Sequence, residues 1–234
     1  MGIKYDLFDL YEIVLENNAR LDFDIYHAEK KFEKFISKFD KTKPLGFFID
    51  DIRNGLDISK DKYTDIDTGV YYISVTEISS GLAGNLTLKD VKKLDINESE
   101  IDVKVETNDI LITRSGSPGV AWCANENFTG DQKVLVPSGY IQRIRLKEEV
   151  NISAQFLTFY LNLKPVRMLT QAYACGKDQM NLSQEYIKKI PIPIVSKNKQ
   201  DKLIEINSKI NKRISNLYSL LDKYKKTNMF FSLR

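Results

Sequence analysis

The residues best suited to chemistry lie in one short turn, in the stretch DILITRSGSPG at 109–119. Ser115 and Ser117 have the hydroxyl of a nucleophile, and the surrounding glycines are typical of a loop that binds phosphate. A serine nucleophile needs a histidine base, and the one histidine, His27, lies in a distant charged stretch. A P-loop would also need a lysine followed by serine or threonine, which this turn lacks. We therefore interpret the stretch as a strand ending in a turn, whose hydroxyls and backbone amides could also contact DNA.

A second possible site is the stretch GDQK at 130–133. Asp131 and Lys133, with Glu126 and Asp109 upstream, form the pattern of a metal-dependent nuclease, in which carboxylates hold Mg²⁺ and a lysine stabilises developing charge. The same spacing is common by chance and also fits a polar loop that enters a strand. The nuclease therefore stays an alternative interpretation.

The placement of the cysteines argues against a zinc site, and the absence of a long apolar run argues against a membrane protein. Cys123 and Cys175 are far apart and have no neighbouring histidine, whereas a zinc site needs about four ligands. No apolar run approaches the roughly 20 residues that cross a bilayer, so we expect a cytoplasmic protein with no metal and no cofactor of its own. The formal charge is +3, but residues 197–226 contain nine basic and three acidic residues, a net +6. The mildly positive net charge of the whole chain permits nucleic-acid binding without requiring it.

Hydrophobic periodicity divides the chain into a helical arm at 1–41 that packs on the next domain, a domain at 42–195, a long helix at 196–228 and a tail at 229–234. The domain has short β-rich runs at 69–75, 101–105, 109–114, 120–124, 133–137 and 140–146. Helices are predicted at 6–18, 24–40 and 153–176, the last interrupted at Pro165, and between Ser183 and Pro191. The close spacing of the strands favours an α+β fold with a mainly antiparallel twisted sheet and flanking helices.

The long C-terminal helix carries a narrow apolar stripe at coiled-coil spacing. Its members are Leu203, Ile206, Ile210, Ile214, Leu217, Leu221 and Tyr224. Such a stripe needs to be covered, either by a helix of a second chain or second copy or by the chain's own domain. About 30 helical residues make a rod of about 45 Å, against about 34 Å for one turn of B-DNA. A pair of such helices could therefore separate two DNA-reading domains.

Polar loops that mix cations, amides and an aromatic residue are the best candidates for DNA contact. SKDKY at 59–63 and GKDQMN at 176–181 have this composition, with lysines suited to phosphates and amides or tyrosine suited to base edges and sugars. The predicted DNA-contacting residues are Lys60, Lys62, Tyr63, Arg114, Ser115, Ser117, Arg143, Lys177, Gln179 and Asn181. Each has a simpler interpretation as well: a solvated loop, a solvated sheet face shared by Arg143 and Arg145, or a structural ion pair for Arg114.

Several segments, in order, resemble the specificity (S) subunit of type I restriction-modification systems. They are RLDFDIY at 20–26, DILITRSGSPGV at 109–120, FLTFYLN at 156–162, NLSQEYIKKIPIPI at 181–194 after Gly176, and KQDKLIEINSKI at 199–210. No single segment is diagnostic, but the ordered set covers most of the chain. The resemblance implies one target recognition domain followed by one spacer helix. A whole S subunit has two such units, so this chain corresponds to half of one: either a half-length subunit that pairs with a second copy or a fragment of a larger subunit.

The resemblance also implies a non-catalytic chain that binds double-stranded DNA and reads one half of a bipartite site. Methyltransferase subunits would use S-adenosylmethionine to modify adenine N6, with a restriction subunit as a further partner. A second copy, or another S chain, would pair through the helix. The sequence fits this division of labour, since it has no Asn/Asp-Pro-Pro-Tyr/Phe tetrapeptide and no glycine-rich cofactor loop. The competing hypotheses are the nuclease around Asp131 and Lys133 and a coiled-coil adaptor without DNA affinity.

Overall fold

The structure is a computed structural model that describes residues 23–81, 91–130, 133–174 and 180–232. The helices are α1 Phe23–Ile36, α2 Val75–Gly81, α3 Glu126–Thr129, α4 Ala154–Leu161, α5 Lys164–Ala172, α6 Gln184–Lys189 and α7 Lys197–Ser232. The strands are β1 Thr42–Pro44, β2 Ile49–Asn54, β3 Tyr63–Thr64, β4 Val70–Ile73, β5 Lys92–Leu94, β6 Ile110–Thr113, β7 Ala121–Cys123, β8 Val134–Pro137, β9 Ile141–Leu146 and β10 Pro191–Pro193. The predicted α+β class with a long C-terminal helix is confirmed. The helix predicted at 6–18 lies outside the described residues.

The strands form two four-stranded sheets and one two-stranded ribbon. The first sheet has the order β2-β9-β6-β7 and is antiparallel throughout. The second has the order β3-β5-β4-β8, with β4 and β8 parallel and the other pairs antiparallel. The ribbon pairs β1 with β10 near the two ends of the domain. The sheets are therefore mainly antiparallel, as predicted.

Strand β6 lies at the centre of the molecule because both of its faces are apolar. Ile110 and Ile112 belong to the core formed with the helices α4 and α5, whereas Leu111 belongs to the core shared with strands β7 and β8. Successive side chains of a strand point to opposite faces. An apolar run without polar alternation is thus the pattern of a strand covered on both sides.

Three local predictions about helix boundaries are confirmed. The hydroxyl of Ser153 accepts a hydrogen bond from the amide of Phe156, and that of Ser183 accepts one from Tyr186, as N-cap serines do. Helix α4 ends at Leu161 and α5 begins at Lys164 with Pro165 in its first turn, where proline loses no hydrogen bond. The predicted interruption at Pro165 therefore divides the segment into two helices.

One strand prediction is wrong, and the strands β1, β2, β3 and β5 are not predicted from the sequence. The run at 101–105 is not a strand, and it contributes only an isolated bridge between Val105 and Leu135. Strand β2 was missed because Asp50, Asp51 and Arg53 interrupt its apolar residues. It is nevertheless the edge strand of the first sheet, paired along its length with β9.

Helix α1 packs on the domain through its aromatic face. Phe32 is buried, and the ring of Phe35 lies 6.0 Å from that of Tyr160. The Tyr173 hydroxyl donates a hydrogen bond of 2.6 Å to the Glu29 carboxylate, which joins α1 to the end of α5. None of the helices within the described residues is long and apolar enough to cross a membrane.

Candidate nucleic-acid interface

Three strands of the first sheet bring their polar ends together at one edge. The registers place Asn54 opposite Gln142 and Thr113 opposite Ile141, so β2 and β6 end where β9 begins. The segment at 180–184 closes this edge, because the amide of Leu182 donates to the carbonyl of Arg114 at 2.8 Å. We call residues 54–55, 114–119, 138–140 and 180–184 the sheet-end surface.

The turn at 114–119 is held rigidly against helix α5. Gly119 has φ +84°, and a Cβ placed there would lie 2.1 Å from the Oγ1 of Thr170, so only glycine fits. The Gly119 amide donates to the Thr113 carbonyl at 2.7 Å, and Nη1 of Arg167 donates to the Pro118 carbonyl at 2.7 Å. These contacts fix the backbone while the tip of the turn faces solvent.

The residues of the predicted serine turn have different environments. Ser115 is buried, and its hydroxyl hydrogen-bonds the carboxamide oxygen of Asn181. Arg114 is half-buried, and its amide donates to the Tyr140 carbonyl at 2.8 Å. Ser117 is exposed at the tip. The structure thus brings Arg114, Ser115 and Asn181 together, but of these serines only Ser117 offers its hydroxyl to a ligand.

Arg143, predicted to lie on a solvated or DNA-facing sheet face, is buried. Its guanidinium hydrogen-bonds the carboxylate of Asp51 and lies 3.7 Å from that of Asp109. The guanidinium of Arg145 donates two hydrogen bonds to the carboxylate of Asp109, at 2.9 and 2.7 Å, in a bidentate ion pair. These hydrogen bonds raise the pKa of Arg145. We call Asp51, Asp109, Arg143 and Arg145 the arginine cluster. Asp51 and Asp109 neutralise the positive charges of the arginine cluster inside the domain. Arg143 therefore stabilises the fold and is not available for DNA contact.

The predicted lysine loop leads into strand β3 of the second sheet. Lys60 and Lys62 are exposed on a single 3-10 turn. Tyr63 is half-buried, and its ring lies 5.9 Å from that of Tyr72. Counting residues 57–67, four aspartates outnumber the two lysines. This loop is therefore net acidic, which weakens its attraction to phosphates.

Some of the other predicted site residues lie outside the described residues. This applies to Lys177 and Gln179, and also to Asp131 of the alternative nuclease site. The Nζ of Lys133 donates to the Asn127 carbonyl at 3.3 Å, and Asp109 belongs to the arginine cluster. Over residues 23–81, 91–130, 133–174 and 180–232, no group of three or more His, Cys, Asp or Glu side chains could hold a metal ion.

Sequence reasoning missed two exposed apolar side chains of the sheet-end surface. Tyr140 is 49% exposed and Met180 is 48% exposed. Tyr140 was counted into the strand that begins at Ile141, although the preceding Ser138-Gly139 pair is a turn signal that could have placed it outside. With Ser117, Asn54 and the amide of Gln184, these side chains give the surface both polar and stacking groups, the mixture found where proteins contact nucleic acids.

The apolar stripe of helix α7 is exposed along its whole length. Fractional exposure runs from 37% at Leu203 to 66% at Tyr224. A different face of α7, turned by about 100° from the stripe, approaches α4 through Gln200, Ile204 and Asn207. Of the two predicted ways to cover the stripe, packing on the chain's own domain is therefore not what the structure has.

Comparison with known proteins places the chain in context. Residues 49–226 match the model of the type I restriction modification DNA specificity domain. The solved S subunit of a type I restriction-modification system from M. genitalium is 20% identical, with a TM-score of 0.52 over 80% of this chain and 42% of that one. The HsdS subunit from Thermoanaerobacter tengcongensis is 14% identical, with a TM-score of 0.54 over 92% and 53%. A search of curated proteins gives no match.

The chain spans about half the length of these two solved relatives. At such identities the structural likeness supports the fold, and the family model supports the membership. The match covers most of the chain, including the sheet-end surface and the greater part of α7. The chain belongs to the family of type I restriction-modification DNA specificity domains.

Proposed function

We propose that this chain reads one half of a bipartite double-stranded DNA site and is itself non-catalytic. Its partners are methyltransferase subunits that use S-adenosylmethionine to modify adenine N6, together with a restriction subunit in a complete complex. Two copies pair through α7, so the recognised sequence is an interrupted palindrome, because protein symmetry is mirrored in the site.

The observation that carries the pairing is the exposed stripe of α7. Seven large side chains, from Leu203 to Tyr224, face solvent on one narrow line. Exposed apolar area of this extent is typical of an interaction surface, and spacings of three and four match knobs-into-holes packing with another helix. A 36-residue helix is about 54 Å long, which is enough to hold two domains apart on one face of a duplex.

The sheet-end surface supports the assignment of DNA recognition to the domain. Its backbone is fixed by hydrogen bonds between the turn at 114–119, the turn at 138–140 and the segment at 180–182. A backbone that is already fixed loses little conformational entropy on binding, which favours a specific contact. Ser117, Tyr140 and Met180 are exposed there, and Lys177 and Gln179 come just before Met180 in the sequence.

The test combines the purified chain with a methyltransferase subunit and maps methylated adenines in a DNA library. Methylation at one bipartite sequence, dependent on the chain, is the expected result. The same adenines methylated without the chain would exclude the proposal. Binding to the duplex is also measured at rising salt, since phosphate contacts weaken steeply with salt. If the chain binds the methyltransferase subunit but shows no salt-dependent affinity for any duplex, it is the coiled-coil adaptor without DNA affinity.

The nuclease hypothesis is tested on the same material. If Lys133 supported metal-dependent cleavage, Mg²⁺ would allow the chain alone to cut DNA, and Lys133→Ala would abolish cutting. We expect no cleavage by either protein.

A further inference from the structure

One buried polar side chain joins the long helix to the domain. Gln200 lies in the first turn of α7 and is 1% exposed. Its Oε1 accepts a hydrogen bond from the Ser153 amide at 3.0 Å, and its Nε2 donates to the carbonyls of Asn151 and Val195 at 3.0 and 3.1 Å. The side chain thus connects α7 to the N-terminus of α4 and to the segment that follows β10.

Beyond Gln200, no described side chain of α7 at 201–221, 223 and 224 is buried. Ile204, one turn on, packs partly against the helical core. Beyond it, Asn207 and Asn211 line a groove of about 740 Å³, whose opposite wall includes Trp122 and Phe159. Half-buried side chains beside a groove constrain the angle of a helix less than a buried, hydrogen-bonded side chain does. The direction in which α7 leaves the domain is therefore set mainly at Gln200.

A small change of this angle has a large effect at the far end of the helix. From Gln200 to Ser232 is about 48 Å at 1.5 Å per residue, and one base pair of B-DNA occupies about 3.4 Å. A tilt of about 4° at the base therefore moves the far end by about one base pair. In an antiparallel pair that end lies beside the domain of the second copy.

We infer that Gln200 is a positioning residue that sets the number of base pairs between the two recognised half-sites. The inference rests on the proposed function, in which two paired copies read one DNA molecule. Gln200 contacts no DNA itself. It acts by holding α7 at one angle to its own domain, so that both sheet-end surfaces meet the duplex at a single spacing.

The experiment selects bound duplexes from a randomised DNA library and sequences them. The wild-type chain should recover two half-sites separated by one spacer length. Gln200→Met keeps the length of the side chain but removes all three hydrogen bonds. We expect this variant to recover the same half-sites with at least three adjacent spacer lengths, while its affinity for a single half-site changes less than about twofold. Asn198→Leu changes an exposed amide in the same turn and should keep one spacer length.

The possible outcomes separate the inference from the proposed function. If folded Gln200→Met recovers only the wild-type spacer length, the inference is wrong. Weaker binding to every duplex at an unchanged spacing would indicate a purely structural role and would also overturn it. If Gln200→Met does not fold, Gln200→Asn replaces it, because its carboxamide is one methylene too short for the three contacts. If the wild-type chain selects no sequence at all, the proposed function itself fails, whatever Gln200 does.

Discussion

Asp109 and Ile210 are placed in opposite ways by the two parts of this molecule. Asp109 is charged yet 1% exposed, inside the domain and matched by two arginines. Ile210 is apolar yet 50% exposed, on the helix that extends from the domain. Burial of a charge requires partners that the domain supplies itself, whereas exposure of an apolar stripe leaves a requirement that the chain alone does not meet. The buried charge of Asp109 is thus matched within one chain, whereas the apolar stripe of α7 is left uncovered by it.

The largest expected effect is on the helix. Ile210→Asp combined with Leu217→Asp places charges in the stripe, and each site occurs twice in a two-fold pair. Four apolar contacts, worth about 1.5–3 kcal/mol each, would be lost, so self-pairing should disappear in sedimentation velocity while the Tm of the domain stays unchanged. Asn216→Asp with Ser219→Asp, on another face of α7, should leave pairing intact. A dimer that persists in the first variant would contradict the stripe as interface.

The next largest effect is on the stability of the domain, when the buried charge of Asp109 is removed. Asp109→Asn removes a buried negative charge from the arginine cluster and leaves Arg143 poorly compensated, at a cost of about 3–5 kcal/mol in the free energy of unfolding. Glu106→Gln is the matched control, because Glu106 also pairs with Arg145, at 2.8 Å, but is mostly exposed. It should cost at most about 1 kcal/mol. Urea unfolding measures both, and equal costs would mean that burial of the cluster has no energetic role.

A smaller effect concerns the turn of the sheet-end surface. Gly119→Ala combines a positive φ with a clash against Thr170, whereas Gly116→Ala has a similar φ of +78° and meets only Val75 Cγ1 at 3.6 Å. The backbone conformation alone costs about 1–2 kcal/mol in either variant. Gly119→Ala should therefore unfold at clearly lower urea concentration than Gly116→Ala. Equal midpoints would show that the turn moves away from α5 without penalty.

The smallest effect is the acid response of the arginine cluster. Partial burial raises the pKa of Asp51, but hydrogen bonds and the charges of Arg143 and Arg53 outweigh it and lower that pKa below 3.8. A lowered folded-state pKa contributes stability above the unfolded value, and this contribution is lost as the pH falls through the folded-state value. Between about pH 5 and about pH 2, wild type should therefore lose more stability than Asp51→Asn. Parallel unfolding free energies over this range would exclude such a contribution.

What the sequence predicted well depends on neighbours along the chain. Ser153 and Ser183 were identified as caps, and Pro165 as an interruption, because each acts on residues only a few positions away. The stripe of α7 was found for the same reason, since three- and four-residue spacings describe one helix without reference to the rest of the fold.

What it missed depends on contacts between distant segments. Nothing beside Arg143 indicates that Asp51, some ninety positions earlier, will reach it across two paired strands. Local alternation therefore gave Arg143 a surface position that the structure does not have. The same limit applies to Tyr140, whose exposure depends on the turn that begins β9. Gln200 was noted within a segment, but its role follows only from partners at Asn151 and Ser153.

The two-stranded ribbon has a consequence for how such a protein can change. Strand β1 pairs with β10 from Thr42 opposite Pro193 to Pro44 opposite Pro191, so the chain enters and leaves the domain side by side. The segment between β1 and β10 therefore leaves and rejoins the rest of the chain at one place. Such an arrangement tolerates replacement of the enclosed segment. A different segment ending in the same two strands would keep α1 and α7 in place only if it also supplied the contacts that Asn151, Ser153 and Tyr173 make to them. Recombination between related genes would therefore exchange the enclosed segment together with the contacts that place both helices.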